Sequence, residues 1–206
     1  MANQSWVSLL NPASPQASGA GAILNTATTA TISPVAGGAN ASDVAQVQPA
    51  GQPYGWYPGL LVRVTAQGFI TTTATSTTAT FFLASRVGNA GTTWVTLATS
   101  AGIATGTGAL TGIPWTLTSI IRCTSIATSG NTVSTQGQLS MTHNTTAPTL
   151  GATSGSVDLS AYLPASSGET AAAVDTTQLQ GISLRGTLAA ANATVQLTQW
   201  LVEAMD

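Results

Sequence analysis

From residue 60 onward, apolar and polar side chains alternate with a period of two. Leu60, Val62 and Val64 fall on one face, and Leu61, Arg63 and Thr65 on the other. Such alternation is what a pleated strand produces, because successive side chains point to opposite faces. The pattern predicts a longer strand over 77–87, where Phe81, Leu83 and Val87 alternate with Phe82, Ala84 and Arg86. Further strands are predicted at 94–97, at 114–125 with Trp115, Leu117, Ile120 and Ile121, and at 133–143 with Val133, Leu139 and Met141. Over 179–188, Ile182, Leu184 and Leu188 oppose Ser183 and Arg185; over 193–202, Val195, Leu197 and Leu201 oppose Gln196, Thr198 and Trp200. About seven or eight short strands with glycine-rich breaks between them predict an all-β fold, an antiparallel sandwich or barrel. The density of Thr and Val favours strand over helix. Two alanine-containing stretches, 169–174 and 188–193, lack a cap and an apolar stripe. The first reads as a loop or short turn and the second as a hairpin connection.

Residues 1–58 read differently, as an extended N-terminal arm and hinge ahead of a sandwich domain over 59–206. Asp43 is the only charged side chain before Arg63, and Pro and Gly recur throughout. Short β-like pieces lie at 6–10, beginning with Trp6, and at 22–32. Such a segment buries too little by itself and is expected to lie extended over something else. The stretch 51–59, with two prolines and three glycines, reads as a stiff hinge that offers Tyr54, Trp56 and Tyr57 as anchors.

Charge sharpens the picture. Asp, Glu, Lys and Arg make up 5% of the chain, against roughly 25% in typical globular proteins. There is no lysine, and Thr supplies 36 of the 206 residues. The polar surface must therefore consist of hydroxyls, amides and backbone. A free molecule with so little charge has weak colloidal repulsion and tends to associate, which points to a subunit of an assembly. The net charge of −2 and four separated arginines leave no basic footprint for nucleic acid. No apolar stretch reaches the roughly 18–20 residues of a membrane span. The N-terminus lacks the charge and apolar core of a signal peptide. Residues 63–156 hold Arg63, Arg86 and Arg122 without a carboxylate, whereas 157–206 hold Asp158, Glu169, Asp175, Glu203 and Asp206 against Arg185 alone. Some arginines are therefore expected to meet carboxylates of the C-terminal span, within or between subunits.

Candidate chemistry is sparse, and no enzyme is expected. His143 is the only histidine and Cys123 the only cysteine, which excludes common Cys/His zinc sites and an intrachain disulfide. Cys123 lies in an apolar run and reads as a small buried side chain. Ser156 lacks the Gly-x-Ser-x-Gly elbow of a hydrolase. Asp158 and Asp175 are the only mid-chain acids that a glycosidase pair could draw on. No loop of the calcium-binding or phosphate-binding type is present, so neither metal nor cofactor is expected.

Several runs resemble small virion proteins of tailed bacteriophages. They are the strand from Gly59 to Gly68 (Gly-Leu-Leu-Val-Arg-Val-Thr-Ala-Gln-Gly), the strand from Ala79 to Gly88, the run from Ile113 to Leu117, the Arg122 strand, a hairpin containing Gly137, and the closing strands from Val174 to Glu203. In order and spacing, residues 59–206 are similar to jelly-roll proteins taken to be capsid decoration proteins. The resemblance implies a jelly-roll-like antiparallel β-sandwich at the capsid surface of the virion. It implies a homotrimer, a major capsid protein as partner, and an N-terminal arm that grips the shell or a neighbouring subunit. Contacts to the capsid or between subunits are then expected at Trp6, Tyr54, Trp56, Tyr57, Arg63 and Arg122. An alternative is a phage tail or fibre component that binds host-surface glycan through aromatics such as Trp56 and Trp94. A third is a small carbohydrate-active enzyme.

Overall fold

The computed structural model describes residues 7–9, 23–24, 29–32, 45–53, 55–73, 77–88, 93–104, 109–145, 155–165 and 168–205. Fourteen strands run through them: β1 Val7–Leu9, β2 Ile23–Leu24, β3 Ala30–Thr31, β4 Ala45–Val47, β5 Leu61–Thr72, β6 Thr78–Val87, β7 Val95–Thr99, β8 Ile103–Ala104, β9 Leu110–Cys123, β10 Val133–Thr145, β11 Gly155–Leu163, β12 Thr170–Ala172, β13 Gln180–Leu188 and β14 Ala193–Met205. No helix occurs among the described residues. The strands form two antiparallel sheets packed into a β-sandwich. The larger runs β1-β14-β5-β9-β10-β11, with β2 on β14 and β12 on β10; the smaller runs β3-β13-β6-β7, with β4 on β13 and β8 on β6.

The topology is nested. The first long strand, β5, pairs with the last, β14, in one sheet; the second, β6, pairs with the penultimate, β13, in the other. This is roll-type wrapping. It makes 189–192 a corner that carries the chain from one sheet to the other, and β5 and β6 likewise lie in different sheets. The corner is bonded to the end of β5 and the start of β6: Thr73 N donates to Asn192 O at 2.9 Å and Ala189 N to Thr78 O at 2.9 Å. Thr77 Oγ1 accepts from Ala190 N at 2.9 Å and donates to Ala190 O at 3.1 Å. The stretch 188–193, expected to be a hairpin connection, is therefore an inter-sheet corner. Strand periodicity does not distinguish the two, because the inward phase is the same whichever sheet the next strand joins.

The core lies between the sheets and follows the alternation. Val62, Val64 and Ala66 of β5, Leu117 and Ile121 of β9, Leu139 of β10 and Leu184 of β13 are all fully buried. Trp115 of the larger sheet meets Phe81 of the smaller with ring centroids 5.0 Å apart and planes tilted by 46°. Trp115 fits because Gly68 lies directly opposite it across the β5–β9 ladder. A Cβ on Gly68 would meet the Trp115 ring at 2.7 Å and the Gln196 carbonyl oxygen. Glycine at this position thus answers to close packing within a strand.

One strand breaks phase. Residues 193–202 were expected to put Leu201 inward and Trp200 outward. Instead Leu197 pairs with Gly68 and Gln199 with Gln67, leaving Thr198 as an extra residue in a β-bulge. Beyond it the phase inverts: Trp200 and Val202 are buried and Leu201 is half-buried on the outer face. A bulge places two residues opposite one, so everything after it turns over.

The described pieces of the first 58 residues are edge strands of this same sandwich. β1 and β2 lie along the outer edge of β14, and β3 and β4 along that of β13. Ile32, Ala45, Val47 and Trp56 belong to the core. What the segment lies over, in these pieces, is the chain's own two sheet edges, which would otherwise be open to pairing.

Buried threonines complete irregular backbone. The Thr132 hydroxyl donates to Val174 O at 2.6 Å and accepts from Val174 N at 2.8 Å. Thr176 Oγ1 accepts from Ala127 N at 3.0 Å. Together they fasten the β9–β10 loop to the segment ahead of β13, supplying the partners that a buried non-ladder backbone requires. Cys123 is fully buried as expected, and its burial pushes the thiol above its ordinary value.

Candidate functional site

The outer face of the larger sheet is an ordered surface among the described residues. Strand register stacks it in rows. One row runs Leu201–Thr65–Thr118–Gln138–Tyr162 across five strands, each residue directly opposite the next. The neighbouring row runs Glu203–Arg63–Ile120–Gln136, and the row on the other side Gln199–Gln67–Thr116–Ser140. Phe69, opposite Pro114, is 42% exposed and Tyr162 is 58% exposed. Five strands about 4.8 Å apart, with roughly ten residues of about 3.4 Å rise, give a face of roughly 600–700 Å². Its uncharged polar groups are hydroxyls and amides, as the composition requires.

A shallow open depression lies within this face. Gly137 forms part of its floor, with Thr118, Ile120, Gln136, Gln138 and Tyr162 around it. A Cβ on Gly137 would point to the inner side and meet Thr118 O at 2.6 Å and the buried Ser119 side chain at 2.7 Å, so β9 and β10 approach closely there because the residue is glycine. Ser119 Oγ donates to Gln136 O at 2.8 Å and fixes the β9–β10 ladder beneath.

Two of the charges on the face pair with each other. Arg63 and Glu203 are directly opposite across β5–β14; Nη2 lies 2.6 Å from Oε2, and Nε donates to the same oxygen at 2.7 Å. The expectation that an arginine meets a carboxylate of the C-terminal span is met by this pair, within one chain. Arg122, on the same face opposite Leu61, is exposed. Ser134 Oγ donates to Glu169.

The other expected contact residues fare differently. Trp56 is 2% exposed and sits in the core, so it offers no contact surface; a large apolar ring gains more from burial than from exposure. Tyr57 is 42% exposed. Trp6 and Tyr54 lie outside the described residues. Tyr162 and Ile120 were not singled out, although a signal for Tyr162 was present. Val157, Leu159, Ala161 and Leu163 alternate with Asp158, Ser160 and Tyr162, the period of a half-buried strand. That strand, β11, was not predicted, nor was β12 inside 169–174, which had been read as a loop.

Catalytic geometry does not emerge among the described residues. They contain no group of three His, Cys, Asp or Glu side chains able to hold a metal ion. The backbone of His143 lies in β10 opposite Val157, and that of Asp158 in β11 opposite Thr142; the side chains of both are outside the described set. Asp175 stands at the surface, its Oδ1 accepting from Thr177 N at 3.0 Å and Thr177 Oγ1 at 2.6 Å, and its Oδ2 from Gln178 Nε2 at 2.7 Å. These bonds, the Thr177 hydroxyl first, hold its carboxyl below the usual value. They are the bonds of a turn. Comparison of the chain with protein-family models, with curated proteins and with solved structures finds no match.

Proposed function

We propose that this chain is a non-enzymatic structural subunit of a virus particle, decorating or reinforcing the capsid of a tailed bacteriophage. Its partners are the major capsid protein and copies of itself, arranged as a trimer. The observation that carries the reading is the outer face of the larger sheet. It is rich in Thr and Gln, studded with Leu61, Phe69, Ile120, Leu201 and Tyr162, and its Arg63 is neutralised by Glu203. Interface cores are depleted of charge and enriched in aromatics. The area of this face is comparable to the roughly 800 Å² that each partner gives to a stable interface. Function on this reading means buried area and shape, with no turnover.

The test places a charge at the middle of the face. Thr118 is exposed, so Thr118→Glu leaves the fold intact. A lone carboxylate driven into a contact is desolvated without a partner, and incorporation into particles should fall more than about tenfold. A folded Thr118→Glu chain that incorporates as well as wild type contradicts the reading.

A second reading is favoured by one observation, the exposed Tyr162 beside Gln136 and Gln138 in the depression. An aromatic platform flanked by amides suits a neutral sugar, as a tail or fibre component binding host glycan would need. Tyr162→Ala that abolishes adsorption to host cells while leaving incorporation unchanged would select this reading over the first.

A further inference from the structure

The outer face of the larger sheet carries opposite charges on either side of one strand. Arg122 of β9 stands directly opposite Ser134 of β10, and Ser134 directly opposite Ala171 of β12. Paired residues share a face, so all three belong to the outer one, where Arg122 and Ala171 are exposed. Glu169, two residues before Ala171, falls on the same face by strand alternation and is exposed. Ser134 Oγ donates to its carboxylate. A cation and an anion thus flank β10, on backbones about 10 Å apart at two strand spacings. Among the described residues neither charge has an ionic partner. The ion pair there is Arg63–Glu203, and Arg86 and Arg185 approach the Trp94 ring.

Such a pattern is self-complementary. A rotation of 180° about an axis lying in the face, along β10 through Ser134, exchanges its two ends. It lays Arg122 of one copy over Glu169 of the other, and Glu169 over Arg122. An isologous contact has this property: residue i meets j, and j meets i. The same axis sets Gln136 and Gln138, exposed farther along β10, each against its own counterpart. An amide carries both donor and acceptor, so it can bond its own copy. Thr118 and Tyr162, which flank Gln138 on β9 and β11, exchange places as the charges do. Arg63 and Glu203 stand two and three strands from the axis, so they fall past the partner's β11–β12 edge and meet no like charge.

We infer that a second copy of this chain docks on this patch about a two-fold axis, each Arg122 pairing with Glu169 of the other copy. The inference rests on the reading of the chain as an assembly subunit. A two-fold is additional to the threefold of a trimer, so the contact joins chains of neighbouring trimers. Three strands on each side make a small contact of the transient class, which gains strength by repetition over many copies.

The test is sedimentation of the full chain at low salt over a range of protein concentrations, where the wild type should double its mass. Arg122→Glu and Glu169→Arg each set like charges face to face, so each should weaken the doubling by about tenfold or more. In an equimolar mixture, every contact between the two variants again joins opposite charges, and the doubling should return. Pairing within one chain cannot produce that recovery, because each variant by itself carries two like charges at the patch. Should Glu169→Arg fold poorly, Glu169→Gln keeps an acceptor for Ser134 and must also weaken the doubling. A wild type that does not double, single variants that double as well as it does, or a mixture no better than its components overturns the inference. Incorporation into particles reports on the assembly reading separately: a chain that incorporates but never doubles refutes the two-fold and leaves that reading standing.

Discussion

Arg63 and Glu203 face each other across the β5–β14 ladder with two donor atoms on one carboxylate oxygen, and they are unequally exposed: 40% for the arginine side chain and 11% for the glutamate. The inequality decides what each substitution does. Arg63→Met strands a nearly buried carboxylate, whereas Glu203→Gln leaves an arginine that can turn to water. Surface pairs contribute about 0–1 kcal/mol, and stranding a buried charge costs about 3–5 kcal/mol. Arg63→Met is therefore expected to destabilise by about 1–3 kcal/mol in urea unfolding, and Glu203→Gln by less. Equal losses would mean the pair acts as an ordinary surface contact.

Gly68 and Trp115 pack closely in the core, leaving no room for a Cβ at position 68. Gly68→Ala is expected to lower stability by at least about 2 kcal/mol, in the range of overpacked cores. Adding Trp115→Phe should recover only part of the loss, because the Gln196 carbonyl still blocks the new methyl. Full recovery in the double variant would show that the ring alone excludes a side chain there.

Thr198 is the surplus residue of the β14 bulge, and its hydroxyl donates to Gln67 O at 3.1 Å. Deleting it leaves Leu197 opposite Gly68, Gln199 opposite Gln67 and Trp200 inward. The deletion variant is expected to fold, losing about 1 kcal/mol with that bond. Deleting Thr65, in an unbulged stretch of β5, turns half a strand inside out and should abolish folding. Circular dichroism and thermal melts of the two deletions check the contrast.

Asp175 carries a pH dependence. Its folded carboxyl is held below its ordinary value, chiefly by the Thr177 hydroxyl. The contribution is full above the unfolded value of about 3.9 and is lost as pH falls through the depressed folded value. The difference in Tm between wild type and Asp175→Asn should hold from neutral pH to about pH 5, then close on further acidification. A difference that opens below about pH 4 contradicts this assignment.

Half-buried alternation made β5, β6, β9, β10 and β13 legible, because one face of each meets the core and the other meets solvent or a neighbour. The pairing of Arg63 with a C-terminal acid was legible from the segregation of signs. The Thr198 bulge was not, since one extra polar residue in a polar-rich strand leaves the composition unchanged. Nor was the corner at 189–192, which has the length of a hairpin. Trp56 was misplaced because its neighbours Pro53, Gly55 and Pro58 read as exposed hinge, although its backbone N–H bonds Gln48 O at 3.1 Å and its ring enters the core. The burial of Arg86 and Ser183 was not legible either, since alternation places them on the outer face of the smaller sheet.

The Thr- and Gln-rich outer face of the larger sheet is the surface on which the proposed function depends. The direct measurement is a residue-level reconstruction of the intact particle that carries this chain. The expected result has Thr118, Gln138 and Tyr162 buried against the shell or a neighbouring copy at symmetric positions. A particle without the chain, or with that face open to solvent in every copy, would contradict it.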